Sequence, residues 1–313
     1  MARPEARRKA AGKSTGLRDI SLEGRVVETR GRRVVVRHAG GDAVCFLSGQ
    51  RAVIGDLVRF EEASGGGGKL LEILPRRNQL ARSDFKGREQ VLAANLGGVL
   101  IVAAAREPPF RAGLVDRYYV GAESAEIPSA VLLHKTDLGV PEEVEADVAL
   151  REGVGVRFLR SAVDDPESIA RIRAFLAENN AGPWALVGHS GVGKTSLVRE
   201  LCPEQDVGAI GELSEYWGTG QHTTTHSRIF ALAGGGEVVD SPGIRTFAPA
   251  GIDPEDVRQH FPGLHGIPCK YRDCRHREGE EGCVAERELP VPLVASYRRL
   301  LQDIERIDEA GRP

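Results

Sequence analysis

With 313 residues, 41% of them hydrophobic and 28% charged, the chain has the balance of a soluble globular protein and room for two or three domains with their own cores. A formal net charge of −3 excludes nucleic-acid binding by overall charge and leaves only local basic patches for it. No apolar run reaches the roughly 18 residues that span a bilayer, so no membrane partner is expected.

Residues 1–20 read as a basic flexible tail. Arg3, Arg7, Arg8, Lys9, Lys13 and Arg18 face little opposing charge, and no apolar core follows them as a secretory signal requires. Such a tail either solubilises the chain or forms an arm on RNA phosphates.

Residues 21–80 read as a small β-barrel. Strands are expected at Arg25–Thr29, Arg33–Arg37, Ala43–Leu47, Leu57–Phe60 and Leu70–Leu74, split by glycine-containing turns. Closure of such short strands removes exposed edges, and their count fits an oligonucleotide-binding (OB) barrel. Arg25, Arg32, Arg33, Arg37, Arg51 and Arg59 tilt the reading toward RNA, with a purely structural barrel as the alternative.

Residues 81–250 follow a different grammar. Val99–Ala105, Ala130–Leu133, Gly155–Leu159, Ala185–Val187 and Glu237–Val239 are apolar runs of the kind that form buried parallel strands. Helical patterns such as Pro166–Asn179 lie between several of them, so an α/β fold is expected, with motifs at the C-terminal strand ends where open sheets bind ligands.

The sequence Gly188-His189-Ser190-Gly191-Val192-Gly193-Lys194-Thr195 matches the phosphate-binding loop G-x-x-x-x-G-K-[ST] and opens a helix through Ser196 to Leu201. Its backbone N–H groups would wrap phosphates, Lys194 would reach the β and γ phosphates, and Thr195 would ligate Mg²⁺. Asp240-Ser241-Pro242-Gly243 reads as a γ-phosphate switch, with Asp240 in the Mg²⁺ shell and the Gly243 N–H on the phosphate. Between them, Gly220–His226 reads as a mobile loop that offers Thr223 or Thr224 to Mg²⁺.

His134-Lys135-Thr136-Asp137 stands in the place of the guanine-reading N-K-x-D. Asp137 can accept from guanine N1–H and the 2-amino group, a donor pair that adenine does not present. His134 can donate to the ring or to neighbouring loops, and a main-chain N–H at Ser161-Ala162 can back guanine O6. The order is base motif, Ser-Ala, phosphate loop, threonine loop, switch. An unpermuted GTPase starts at the phosphate loop, so a circular permutation is expected, and it makes the switch lead almost directly into the C-terminal segment. Ile244 follows the switch glycine where many GTPases carry a water-orienting Gln, so slow intrinsic hydrolysis is expected. His222 is the nearest group to position water, beside Lys194 and Mg²⁺; a loop contact to RNA or solvent is the equal alternative.

Residues 251–313 read as a helical metal-binding segment. Asp253-Pro254 is a helix start, and a last amphipathic helix near Val291–Asp308 stripes Val294, Tyr297, Leu301 and Ile304 for packing. Cys269-x4-Cys274-x-His276-x6-Cys283 supplies three thiolates and an imidazole, a complete tetrahedral set for one structural Zn²⁺. Five cysteines, three in this stretch, fit a reduced cytoplasm better than a disulfide framework. Lys270, Arg272, Arg275 and Arg277 suit an RNA-facing surface, and a solvated charged loop is the alternative, given Glu278, Glu280 and Glu281.

Taken with the Pro75-Arg76-Arg77-Asn78 junction, these motifs resemble the family of circularly permuted GTPases dependent on the small ribosomal subunit (RsgA, also called YjeQ) across nearly the whole chain. The resemblance implies an OB barrel, a permuted GTPase and a zinc domain that act in late small-subunit maturation, with GTP hydrolysis to GDP stimulated by that subunit. It also implies a hydrophobic residue at Ile244 and a catalytic role for His222. Two departures stand out: family members usually carry Asn where His134 stands, and the zinc loop here is one residue longer, with Glu-Glu-Gly before Cys283. The expected protein is a cytoplasmic monomer that binds rRNA through barrel and zinc domain and is released on hydrolysis. A GTP/GDP-sensing rRNA-binding protein without turnover is the first alternative, and a P-loop ATPase or kinase the second.

Overall fold

The computed structural model describes residues 21–49, 51–62, 67–83, 89–162, 164–204, 226–241, 244, 252–255 and 257–311. The basic tail, His222, Thr223, Thr224 and Gly243 lie outside the described residues.

The N-terminal strands are β1 (Leu22–Arg30), β2 (Arg33–His38), β3 (Gly41–Phe46), β4 (Leu57–Glu62) and β5 (Gly68–Ile73). They pair in the order β1-β2-β3-β5-β4, and β4 returns to β1 to close the barrel. Alternate side chains point inward, so Val26, Val34, Val36, Cys45, Phe60 and Leu70 form its core. The arginines divide by partner. Arg25, Arg37 and Arg59 pair with Glu237, Asp42 and Glu23. Arg33 instead lies over the Phe46 ring, 5.1 Å from its centroid, on an outer face where Phe46 is 49% exposed.

A β-bulge at Val27 joins barrel and central domain. It lets two consecutive residues be buried in different cores: Val26 in the barrel and Val27 in the central domain. Beyond the bulge, Glu28–Arg30 of β1 pair antiparallel with β12 (His226–Ala231), so barrel and central sheet are continuous. A hairpin of β6 (Gln79–Ser83) and β7 (Glu89–Ala94), not anticipated from the sequence, follows the barrel. The Pro-Arg-Arg-Asn junction is a hydrogen-bond hub here. Arg76 grips the buried Asp56 at 2.7 and 3.0 Å, and Asn78 exchanges two bonds with the Leu96 main chain.

The central sheet runs β10-β9-β8-β11-β13-β12, from β8 (Gly98–Ala104), β9 (Ser129–His134), β10 (Phe158–Ser161), β11 (Trp184–Val187) and β13 (Glu237–Asp240), all parallel except β12. Both faces are covered, which is why β8 is apolar at every position. Val99, Ile101 and Ala103 face α1 (Ala112–Glu123) and α2 (Glu142–Gly153). Leu100, Val102 and Ala104 face α3 (Pro166–Glu178) and α4 (Lys194–Leu201). The strand expected at 155–159 starts later, at Phe158. Residues 154–156 are used to cap α2 instead: Gly155 takes φ +92° and the Val156 N–H donates to Arg151 O.

In the C-terminal segment, Asp253-Pro254 does not start a helix. The Asp253 carboxylate accepts from Glu255 N at 2.8 Å in a turn, and α5 begins at Val257 (Val257–His260). α6 (Ala285–Glu288) and the long α7 (Val291–Gly311) follow. Val294, Tyr297 and Leu301 are buried with Phe261 and Leu264, and Ile304 packs at the margin, as the stripe predicts. This core includes Val120 of α1. Beside it, buried Arg151 forks onto Asp116 at 3.0 and 2.9 Å, and Ser296 of α7 donates to the same carboxylate. Among the described residues no helix is long and apolar enough to cross a membrane.

Breaking a buried ion pair by removing one partner costs about 3–5 kcal/mol. Asp116→Ala removes the forked partner of Arg151 and leaves it only Asp147, which it meets at 2.6 Å, so a loss toward the lower end of that range is expected. Urea unfolding followed by far-UV circular dichroism checks it.

Candidate functional site

The described parts of the predicted site, the His134–Asp137 loop, Ser161-Ala162, the Gly188–Thr195 loop and Asp240, lie at the C-terminal ends of β9, β10, β11 and β13. The loop between β11 and α4 holds Gly188–Gly193. Gly188 and Gly193 take φ of +145° and +97°, and both are pressed against neighbouring strands. A Cβ on Gly188 would lie 2.2 Å from the Val102 carbonyl oxygen, and one on Gly193 would lie 2.6 Å from the His134 ring. Neither place admits a side chain. His189 and Ser190 are exposed, Val192 is buried beneath the loop, and Gly191 turns at φ +82°. Lys194 is buried, and its Nζ donates to the Gly188 and His189 carbonyls at 2.6 and 2.7 Å, inside the loop. Thr195 and Ser196 open α4, the first half-buried and the second exposed.

His134 ends β9 and is fully buried. Its Nδ1 lies 2.8 Å from Ser161 Oγ at the end of β10, while Nε2 is buried without a hydrogen-bond partner among the described residues. Burial first, and then the neighbouring Lys135 charge, hold its pKa below the usual histidine value, so the ring is neutral at pH 7. Lys135 takes the left-handed conformation at φ 59° and reaches across to the phosphate loop, donating to the Gly191 carbonyl at 2.8 Å and to Glu107 O. Asp137 sits exposed in the short 3₁₀ turn Thr136–Leu138. The Ala162 N–H donates to Ser168 Oγ at 3.3 Å, so contact with a base would require it to exchange that long bond.

Asp240 ends β13, buried, and Ser241 beside it bonds Ser227 at 2.7 Å. Ile244 is buried in the central core with Ile101 and Val187. It faces apolar neighbours and has no group to orient water. The sequence reading missed two features of this region. Lys135 ties the base loop to the phosphate loop, and the Val102 carbonyl forms the floor under Gly188. A Lys after an apolar strand gives no hint of the first, and the second is a backbone contact that no side-chain pattern encodes.

The cysteine–histidine group closes as one cluster. Ligand atoms of Cys269, Cys274, His276 and Cys283 all lie within 4.8 Å of one another. The three sulfurs stand 3.5, 3.6 and 3.5 Å from His276 Nδ1. A tetrahedron with metal–sulfur bonds of about 2.3 Å and metal–nitrogen bonds of about 2.0–2.1 Å has sulfur–nitrogen edges of about 3.6 Å, so the group could hold a metal ion. Burial pushes the Cys274 thiol up to about 12, so it ionises at neutral pH only if a cation takes the proton's place. Burial and Arg258 hold His276 below the usual histidine value, which leaves the imidazole neutral and able to ligate. The basic residues nearby are mostly spoken for: Lys270 pairs with Glu281, Arg275 with Glu255, and Arg277 with Glu305. Of the four, Arg272 forms no ion pair or hydrogen bond with a described residue.

The family model described as RsgA GTPase matches residues 73–249, more than half of the chain. The small ribosomal subunit biogenesis GTPase RsgA of Azotobacter vinelandii is 37% identical over 276 residues, covering 80% of this chain and 75% of that protein. Its counterpart from Actinobacillus pleuropneumoniae is 35% identical over 267 residues, covering 81% and 76%. Among solved structures, YjeQ from Thermotoga maritima superposes with a TM-score of 0.71 at 22% identity, over 94% of this chain and all (100%) of the other. YloQ, described as a circularly permuted GTPase, gives 0.70 at 20% identity, over 95% and 98%. The structural likenesses show the fold, including the permuted strand order.

Overpacking costs about 1–3 kcal/mol. Gly193→Ala should therefore destabilise the protein by about that amount, as measured by urea unfolding. A second expectation concerns pH. His134 has a folded pKa below its unfolded value of about 6.5, so its stabilising share is present above that value and lost as pH falls through it. The drop in melting temperature between about pH 7.5 and 5.5 should be smaller in His134→Asn than in the parent.

Proposed function

The chain belongs to the RsgA GTPase family, and from that premise we propose that it hydrolyses GTP to GDP and phosphate during maturation of the small ribosomal subunit, its nucleotide state controlling release. The observation that carries this reading is the bridge from Lys135 to Gly191, which joins the His134–Asp137 loop to the Gly188–Thr195 loop. In this reading Asp137 reads the base, and His134, Lys135, Ser161 and Ala162 shape its pocket. The amides of Gly188–Thr195 wrap the phosphates, with Ser196 beside them. Lys194 exchanges its two loop carbonyls for the β and γ phosphates. Thr195, Asp240 and one of Thr223 or Thr224 would hold Mg²⁺, which supplies charge neutralisation at the phosphates. Gly243 would face the γ phosphate.

The burial of Ile244 supports slow turnover by the protein alone, because the position that often orients water is turned into the core. His222 remains the proposed group for positioning water. The cysteine–histidine cluster is assigned to one structural Zn²⁺, held by Cys269, Cys274, His276 and Cys283. With all four donors from the protein, no ligand position is left open for chemistry. The partners follow from the same premise: GTP or GDP, the small subunit and its rRNA, met in the cytoplasm by a monomer.

Turnover of GTP with and without purified small subunits tests the reading. Stimulation is expected; its absence would favour a GTP/GDP-sensing rRNA-binding protein, and preference for ATP in competition would sink the guanine assignment. Removing a positioned electrostatic group from such a site costs about 10²–10³ in kcat, so Lys194→Ala should lower stimulated turnover by that order. Elemental analysis should find one zinc per chain, and Cys283→Ser should lose most of it.

A further inference from the structure

Residues 261–284, which carry the cysteine–histidine cluster, contain no helix or strand. Side chains from outside the loop grip its main chain instead. Four consecutive carbonyls, from Cys274 to Arg277, each accept from an arginine or a tyrosine. Arg258 of α5 donates to Cys274 O at 2.8 Å, and the Tyr297 hydroxyl of α7 donates to Arg275 O at 2.7 Å. Arg298 of α7 donates to His276 O at 2.8 Å and to Arg277 O at 3.4 Å. The Tyr297 ring also meets the His276 imidazole edge-on, with 6.0 Å between centroids.

The same helix faces the central domain one residue earlier. Ser296 donates to the Asp116 carboxylate of α1 at 2.5 Å, and buried Arg151 forks onto that same carboxylate. Successive helical residues point about 100° apart, so Ser296 and Arg298 lie on nearly opposite sides of α7. One turn of α7 therefore stands between the metal-ligand loop and the central domain and is bonded to both. Cys274 and His276 belong to the ligand set and also own two of the gripped carbonyls, so moving the ligands moves the acceptors. A metal site of this kind is seldom formed before its ion arrives, because the ion is what gathers the ligands.

We propose that Ser296 and Tyr297 join metal occupancy and the docking of α7 on α1 into one linked equilibrium. A gathered cluster holds the loop carbonyls where Tyr297 and Arg298 reach them, and the gripped helix presents Ser296 to Asp116. Withdrawal of zinc loosens the C-terminal domain from the central domain. Linkage between two sites is reciprocal, so loss of the docking contact weakens zinc binding by the same factor. The inference rests on the assignment of a structural zinc to the four ligands, and it makes Ser296 and Tyr297 positioning residues for a site they do not ligate.

The test is the zinc affinity of the full-length protein, measured by competition with a chromophoric chelator. Coupling between sites is worth roughly 5- to 150-fold, so Asp116→Ala and Ser296→Ala should each raise the zinc Kd within that range although neither residue is a ligand. Tyr297→Phe, which loses only the hydroxyl on Arg275 O, should act in the same direction. Leu176→Ala, which opens a cavity on the opposite face of the central sheet, should leave zinc affinity unchanged. The reciprocal measurement is amide hydrogen exchange in the wild type, where chelation of zinc should speed exchange in α1, a helix that holds no ligand. Should Asp116→Ala not fold, Ser296→Ala and the exchange measurement decide the matter. Parental zinc affinity in the Asp116 and Ser296 variants would overturn the proposal, as would an equal loss in Leu176→Ala or exchange in α1 that ignores chelation. Wild-type protein without zinc by elemental analysis would remove the metal assignment itself.

Discussion

The candidate nucleotide site depends on a contact in which backbone meets ring with nothing between them. Gly193 lies so close to the His134 imidazole that a single methyl group would collide with it, and Gly188 lies equally close to the Val102 carbonyl. These contacts require β8, β9 and β11 to be neighbours, and the sheet order places them side by side. Lys135 then completes the joint by donating to Gly191. Two segments more than fifty residues apart thus form one surface, and a base and its phosphates could be read together. Substituting His for the usual Asn fits this geometry. The larger ring fills the space under the phosphate loop, and its Nδ1 meets Ser161 Oγ while Nε2 has no hydrogen-bond partner among the described residues.

The same continuity extends outward. The bulge at Val27 lets one strand serve the barrel core and the central core, and β1 pairs directly with β12. At the other end, Asp116, Arg151 and Ser296 clamp the last helix to the central domain with buried charge. A clamp of this kind costs stability if broken and fixes orientation while intact. In the permuted order the switch motif leads into the segment that this clamp holds.

That domain shows how tertiary structure revises a reading of charge. Four basic residues around the metal ligands look alike in sequence. In space, three face glutamates and one faces a groove. The barrel arginines divide in the same way: Arg25, Arg37 and Arg59 are paired, while Arg33 lies on an exposed phenylalanine.

Much of the architecture was legible from the chain alone. Alternation in β2 and unbroken apolarity in β8 announce a half-solvated barrel strand and a doubly covered parallel strand, because burial on one face or two leaves different periodicities. The phosphate loop and the cysteine–histidine spacing are local, since their chemistry needs residue types at fixed offsets. Errors fell where local signals compete. Gly155 looked like the start of a strand and is the cap of α2; Asp253-Pro254 looked like a helix start and is a turn. What the sequence could not decide was every pairing across distance: which arginine meets a carboxylate, that Lys135 reaches Gly191, and that Asp116 waits for Ser296. Those depend on where the fold brings segments far apart in the chain, and no local spacing records that.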